Sequence, residues 1–202
     1  MNQKQADQLS LGAEVVQRLL PHRRPFLMVD RIDSYTRAPV PSMRSSRFIS
    51  ANEEVFAGHF PGLPLWPGVY TIEGLGQTCN LMEVVLGLQD ALEARGHSAE
   101  DALAGLRLLE ALTTLRPHPQ AAELAPLLAA LGEPLRRMGM SAAVDLKLLA
   151  PVFAGQRLDY HVRRTLVMGD LRRFEVEAEV AGRLVAKGAM DSLVGAAISA
   201  VI

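Results

Sequence analysis

The alternation of apolar and polar residues predicts one buried helix that follows two strands. Residues 1–20 contain a polar lead-in and a short amphipathic helix, which Pro21 ends. Strands are predicted next over 26–32 and 42–49. Over 67–86 the side chains are apolar or small on every side of the expected helix, and a proline stands at its start, where the first turn tolerates it. This helix is therefore expected to be buried.

The second half of the chain changes from a helical pattern to strands. Residues 88–138 are rich in Ala and Leu. Two or three helices are predicted there, roughly over 88–95, 99–115 and 121–131. From residue 141 about four strands are predicted, with turns at 169–170 and 181–183, and we expect them to form an antiparallel meander.

A single apolar helix among antiparallel strands needs a sheet to wrap around it. The pattern therefore predicts an α+β hot-dog fold, in which an antiparallel sheet wraps a central helix. We expect one hot-dog domain over 1–202, with a helical insertion at 88–138. That insertion is interpreted as a cap over a substrate tunnel, a docking surface or an expanded subunit interface.

Composition and charge narrow the setting. The net charge of -1 gives no strong attraction to nucleic acid or to a membrane surface. A single cysteine, Cys79, excludes an intrachain disulfide, and we interpret it as core packing. The N-terminus lacks the apolar core of a signal peptide, and no apolar run is long enough to cross a bilayer. We therefore expect a cytoplasmic protein without a membrane partner. The scattered histidines predict no metal site.

The loop before the buried helix carries the candidate chemistry. Residues 51–68 contain three prolines and three glycines among bulky apolar residues, which indicates an ordered loop of the kind that often carries function. The run HFPGLPLWPGVYTIEGLGQ, at 59–77, resembles the signature of the FabZ/FabA-type 3-hydroxyacyl-acyl carrier protein dehydratases, which have a hot-dog fold. LLPHRRPFLMVDRI, at 19–32, resembles their N-terminal segment, and 148–158 with 169–190 resemble their last strands.

Dehydration of a 3-hydroxyacyl thioester needs a base for the proton on carbon 2, an acid for the hydroxyl on carbon 3 and stabilisation of the thioester oxygen. Histidine can serve as the base, a carboxyl group in an apolar pocket as the acid, and a helix N-terminus as the oxyanion site. The resemblance implies that His59 is the catalytic histidine and Glu73 the catalytic carboxylate. It also implies that the Gly68 N–H stabilises the oxyanion and that the Leu65 carbonyl orients the imidazole.

Gln77 stands four positions after Glu73 on the same helix face and is predicted to hold it. Tyr70 and Asn80 continue this polar stripe, which favours a functionalised, polyene or polyketide-like acyl group. The alternative is that both bind the neighbouring subunit. Candidates for lining the substrate tunnel are Tyr70, Asn80, Trp66 and Phe60.

Other residues receive structural interpretations. His22 and the pair Asp30–Arg31 are predicted to hold the first strand through hydrogen bonds and an ion pair. Gly74 and Gly76 predict close packing of another element, or a widened pocket, because each costs about 1 kcal/mol relative to alanine in a helix. Four arginine pairs are predicted to be solvated surface or a basic rim for an acidic carrier protein: 23–24, 136–137, 163–164 and 172–173.

The function expected from these residues is a lyase of fatty-acid or polyketide-type biosynthesis. It would remove water from a 3-hydroxyacyl group on acyl carrier protein and yield a trans-2-enoyl thioester. No cofactor is expected beyond the phosphopantetheine or coenzyme A that carries the substrate. The resemblance implies a homodimer, at least, with active sites at the subunit interface. The alternatives are a hot-dog thioesterase, in which Glu73 activates water, and a non-catalytic partner that binds acyl carrier protein.

Overall fold

The computed structural model describes residues 9–117, 122 and 139–194. These residues include one antiparallel sheet and three α-helices, whose bounds follow. The helices are α1 (Ala13–Leu19), α2 (Gly68–Glu93) and α3 (Ala99–Thr113), and a short 3-10 helix spans Glu54–Ala57. The strands are β1 (Arg31–Thr36), β2 (Ser42–Phe48), β3 (Gly139–Leu148), β4 (Arg157–Met168), β5 (Leu171–Val180) and β6 (Arg183–Val194). Helix α2 packs against β2, β3, β4 and β5, so the sheet surrounds it as a hot-dog fold requires.

The strand order across the sheet is β1-β2-β4-β5-β6-β3, and every neighbouring pair is antiparallel. Strands β4, β5 and β6 form the expected meander through turns at 169–170 and 181–182. The prediction that β3 belongs to this meander is wrong, because β3 pairs with β6 at the sheet edge. The segment after β3 is held by the loop region instead: Trp66 N–H donates to Val152 O, and Gly155 N–H donates to Ile49 O. Periodicity indicates which face a residue occupies, but not which strand lies beside it.

Helix α2 is a single element of 26 residues. The predicted end near residue 86 and the separate helix at 88–95 are therefore wrong, since the second is the continuation of the first. Leu88 and Leu92 are each 1% exposed, so the apolar burial continues past Gly87. This burial outweighs the helix cost of one glycine, which is about 1 kcal/mol.

The first predicted strand, over 26–32, begins later than expected, at Arg31. Leu27, Met28 and Val29 are buried, as the apolar pattern indicates, but their segment is not a strand. Met28 N–H instead donates to the side-chain carbonyl of Gln77. A side chain of α2 thus takes the place of a neighbouring strand.

Helix α3 confirms the helix predicted over 99–115. Its N-terminus has a capping box, in which Ser98 and Asp101 exchange side-chain and backbone hydrogen bonds. Leu103 and Leu106 are buried on its inner face, which packs on α2 and α1. The helix predicted over 121–131 lies outside the described residues except for residue 122. Among the described helices, none is both long and apolar enough to span a membrane.

Candidate active site

His59 lies two residues after the end of the 3-10 helix, in the loop that precedes α2. Its backbone N–H donates to Val55 O over 2.8 Å, and its ring Nδ1 lies 2.9 Å from Leu65 O. Because a carbonyl only accepts, Nδ1 carries the hydrogen and donates it to Leu65. The neutral ring then presents the lone pair of Nε2, which is the form that a general base requires. The predicted contact between His59 and Leu65 is present, and the catalytic role of both stays a prediction.

Arg47 anchors both ends of this loop. Its guanidinium donates to Leu27 O over 2.9 Å, to Asp30 over 3.2 Å and to Glu53 over 2.6 Å. It also lies 5.6 Å from the centre of the Trp66 ring, a distance at which a cation attracts an aromatic face. A buried cation thus connects the N-terminal segment with the beginning and end of the His59 loop.

A cleft of about 330 Å³ lies beside His59. It is lined by His59, Leu65, Trp66, Gly68, Thr71, Val185 and the segment 148–152. Helix α2 begins at Gly68, and the first N–H groups of a helix have no partner inside it. A Cβ at position 68 would overlap the end of the Leu148 side chain, so glycine permits this close approach. The cleft therefore combines a candidate base with N–H groups and the positive end of a helix dipole.

Glu73 lies on α2 and is held by Gln77, as the sequence predicts. The Gln77 amide nitrogen donates to Oε1 of Glu73 over 2.9 Å and to Phe26 O over 2.7 Å, while its carbonyl accepts from Met28 N–H over 2.8 Å. Gln77 is only 1% exposed, so its amide is fixed by these contacts. The Glu73 side chain is 30% exposed, so the described residues do not form the closed apolar pocket expected around it.

His59 and Glu73 do not meet within one chain. Thr71 lines the His59 cleft, and Glu73 follows it by two residues, which is a rotation of about 200° around a helix. Among the described residues, no hydrogen bond or ion pair joins His59 to Glu73. The base and the acid predicted from the sequence therefore face different sides of α2.

The predicted tunnel residues have different positions. Phe60 is 48% exposed and stacks on His59, with ring centres 4.3 Å apart. Trp66 is 3% exposed and is packed edge to face with Tyr70 at 5.2 Å. The Asn80 amide exchanges two hydrogen bonds with the backbone of Gly139, of 2.8 and 3.2 Å. Asn80 thus secures the start of β3, and a tunnel role for these residues stays a prediction.

Sequence reasoning did not identify the residues that contact Glu73 and Gly74 from distant parts of the chain. His22 Nε2 lies 3.6 Å from Oε1 of Glu73, although His22 was interpreted as support for the first strand. The Tyr160 ring packs against Gly74, where a Cβ would overlap it. The close packing predicted at Gly74 is therefore present. These contacts join residues that are distant in sequence, so periodicity does not predict them. The motif around His22 was the one feature of the sequence that could have indicated a role for this histidine.

Asp30 and Arg31 make hydrogen bonds and ion pairs at the first strand, as predicted, but with other residues and not with each other. Asp30 binds Arg47 and the backbone N–H of Phe48, whereas Arg31 binds Asp33 over 3.1 Å. Neighbouring residues in extended backbone point to opposite sides, so they seldom pair with each other.

The arginine pairs divide between surface and interior. Arg163 and Arg173 bind Glu175 and Asp191 respectively, at the surface. Three further side chains form a partly buried cluster, in which Arg164 and Arg172 both approach Glu83. The pair 136–137 lies outside the described residues.

Cys79 is 3% exposed, and burial raises the pKa of its thiol, which is consistent with core packing. In the part of the chain that the structure describes, no three His, Cys, Asp or Glu side chains cluster as metal ligands would. The absence of a cofactor remains a proposal.

Comparison with known proteins supports the resemblance. A FabA-like domain matches residues 20–105. The chain is 41% identical over 78 residues to 3-hydroxyacyl-[acyl-carrier-protein] dehydratase FabZ of Neisseria meningitidis serogroup C / serotype 2a, covering 39% of this chain and 51% of the relative. It is 43% identical over 74 residues to FabZ of Aeromonas salmonicida, covering 36% and 48%. The chain thus spans about half the length of the curated relatives it matches.

A solved structure supports the fold. A chain of the dehydratase heterocomplex ApeI:P from Xenorhabdus doucetiae superposes with a TM-score of 0.54 at 15% identity, covering 92% of this chain and 94% of that one. At this identity the likeness concerns the fold alone. The predicted α+β hot-dog fold is confirmed.

Proposed function

We propose that this protein is a dehydratase that removes water from a 3-hydroxyacyl thioester carried on acyl carrier protein, and yields a trans-2-enoyl thioester. The observation that carries the proposal is the position of His59. Its Nδ1 is engaged by Leu65, which leaves Nε2 as a base beside the cleft where α2 begins. The likeness to FabZ dehydratases supports the same chemistry.

The proposed reaction uses the two faces of α2. The thioester oxygen binds at the N-terminus of α2, where the Gly68 N–H and the helix dipole stabilise the negative charge that develops. His59 Nε2 removes the proton from carbon 2. The carboxyl group of Glu73 protonates the hydroxyl on carbon 3, the C3–O bond breaks with its electrons, and water leaves. The chain's own groups supply every proton transfer in this scheme, so we propose that no cofactor or metal takes part.

We also propose that the active site is completed by a second copy of the chain. His59 and Glu73 lie on different sides of α2, so His59 of one subunit would act with Glu73 of the other. Val144 and Leu148 form an apolar row on β3 that is uncovered, with exposures of 46 and 53%. Val144 stands opposite Met190, which is only 4% exposed, so this row belongs to the inner face of the sheet. An uncovered inner face favours a symmetric partner over solvent.

The chemistry of the acyl chain is a finer question. The polar stripe on α2 favoured a functionalised or polyketide-like substrate. However, Gln77 and Asn80 are engaged inside the chain, which weakens that argument. Turnover of a plain acyl thioester should be compared with that of an oxygenated one, and a clear preference for the plain chain would reject the functionalised substrate. Delivery on acyl carrier protein and a cytoplasmic location are part of the proposal.

The experiment is to follow the absorbance of a short trans-2-enoyl thioester during incubation with the purified protein, since hydration is the reverse of the proposed reaction. Loss of absorbance with the thioester intact is expected, and His59→Ala and Glu73→Gln should each abolish it. His97→Ala, which changes an exposed histidine beside α3, is the matched control and should remain active.

Two other results would reject the dehydratase. Release of free thiol that depends on Glu73 would identify a thioesterase. A lack of both signals with enoyl groups on coenzyme A and on acyl carrier protein would leave the non-catalytic partner, which binding to loaded acyl carrier protein would then test.

A further inference from the structure

We propose that His22 is a positioning residue for Glu73: as a neutral imidazole with its hydrogen on Nε2, it donates toward Oε1 and leaves Oε2 as the oxygen that delivers the proton. This inference rests on the proposed dehydratase function, because it assigns a role to the acid of that reaction.

The first evidence is the arrangement around the Glu73 carboxyl group. His22 Nε2 lies 3.6 Å from Oε1, and the Gln77 amide nitrogen lies 2.9 Å from the same oxygen. Among the described residues, Oε2 has no hydrogen-bond partner. Both polar neighbours thus gather on one oxygen, and the other is available to the substrate. A separation of 3.6 Å is long for a hydrogen bond, but contacts at catalytic groups often shorten when substrate binds.

The second evidence is the environment of the other ring nitrogen. His22 Nδ1 is buried and has no hydrogen-bond partner among the described residues. The ring packs beside Phe26, with ring centres 6.4 Å apart. A hydrogen on Nδ1 would place an unpaired donor in this interior, in the neutral ring and in the cation alike. The neutral tautomer with hydrogen on Nε2 leaves only a lone pair at Nδ1, and it directs its single N–H at Glu73.

The consequence concerns the position of the acidic proton. With N–H groups from His22 and Gln77 directed at Oε1, that oxygen acts as an acceptor, so the proton of the carboxylic acid resides on Oε2. During dehydration this proton passes to the leaving hydroxyl, and the carboxylate that remains keeps both N–H contacts. Solvent then returns a proton to Oε2 and takes from His59 the proton removed from carbon 2, which restores both groups.

The test compares His22→Leu with His22→Gln. A leucine removes the donor, whereas a glutamine can place an amide N–H near the position of Nε2. His22→Leu is expected to lower kcat by roughly 10- to 100-fold, the rate equivalent of one hydrogen bond to a charged group, with KM little changed. His22→Gln should recover most of that loss. Equal losses in two folded variants, or no loss in His22→Leu, would overturn the proposal. If His22→Leu does not fold, the activity of His22→Gln decides. Activity close to that of the wild type supports the proposal, and a large loss overturns it.

A second readout does not depend on activity. Imidazole ¹⁵N chemical shifts of the ligand-free protein distinguish the two neutral tautomers from the cation. At neutral pH we expect His22 to carry its hydrogen on Nε2, and a hydrogen on Nδ1 or a cation would overturn the inference. If the wild-type protein shows no hydratase activity, the proposed function fails, while the tautomer measurement still reports on His22 itself.

Discussion

Gln77 donates its amide to Oε1 of Glu73 from one turn further along α2, and the same amide binds Phe26 O and Met28 N–H. One buried side chain therefore fixes the candidate acid and attaches the N-terminal segment to the central helix. Mutation of Gln77 should therefore change two quantities that can be measured separately, the stability of the fold and the rate of the reaction.

Replacement of Gln77 by methionine is expected to lower both the stability of the fold and the rate of the reaction. The backbone groups of Phe26 and Met28 would lose their partner, which should reduce the free energy of unfolding by about 2–4 kcal/mol. The rate should fall as well, since Glu73 loses its fixed donor. Gln89→Met is the matched control, because Gln89 is a buried glutamine of α2 that binds Tyr35 and Ala99 O away from Glu73. Urea unfolding and kcat should show loss of stability in both variants, but loss of rate only in Gln77→Met.

Replacement by alanine is expected to have opposite effects on stability at two glycines of α2. Gly74→Ala would force the new Cβ into the rigid Tyr160 ring, and we expect a loss of about 1–3 kcal/mol or more. At Gly87 nothing lies within 4 Å of the new Cβ, so alanine should add about 0.5–1 kcal/mol through its helix propensity. Thermal unfolding checks both variants. A stable Gly74→Ala protein would contradict the packing described around Tyr160.

Tyr160→Phe is expected to be neutral or stabilising. The Tyr160 side chain is 1% exposed, its hydroxyl has no hydrogen-bond partner among the described residues, and burial raises the pKa of its phenol. Removal of this hydroxyl should leave the free energy of unfolding unchanged or raise it by up to about 1 kcal/mol. If denaturant titration showed that the free energy of unfolding falls by more than about 1 kcal/mol, the hydroxyl would have a hydrogen-bond partner.

Arg164→Met is expected to destabilise the protein in a pH-dependent manner. Glu83 is 9% exposed at its side chain, and Arg164 binds both of its oxygens at 3.0 and 3.1 Å. Without Arg164 a buried carboxylate would lose its main partner, which costs about 3–5 kcal/mol at neutral pH. A Glu83→Gln/Arg164→Met double variant should be less destabilised than Arg164→Met alone.

The direction of the pH dependence follows from the pKa of Glu83, which burial raises above its usual 4.5 while Arg164 lowers it. A carboxyl with a raised pKa binds a proton more readily in the folded chain than in the unfolded one. Its contribution to stability is therefore largest below about pH 4.5 and declines as the pH rises through the raised pKa. Loss of Arg164 should extend this decline to higher pH. Arg164→Met should thus lose more stability between pH 5 and pH 8 than the double variant, and equal pH profiles would contradict the role given to Glu83.

Local patterns along the chain were sufficient for several conclusions. The apolar surface of α2, the hairpin turns of β4 to β6 and the capped helix α3 each depend on residues within a few positions of one another. The contact between His59 and Leu65 and the contact between Glu73 and Gln77 are also local, at separations of six and four residues. Such features follow from helical and strand periodicity, from turn chemistry and from a short motif.

The contacts between distant segments were decided only when the chain folded. Strand β3 pairs with β6 rather than β4, Asn80 binds Gly139, and His22 approaches Glu73 from 51 positions away. The periodicity of a segment reports which of its faces is buried, and contains no information about the segment that covers it. That choice depends on the path of the whole chain, which also turns His59 and Glu73 to opposite sides of one helix.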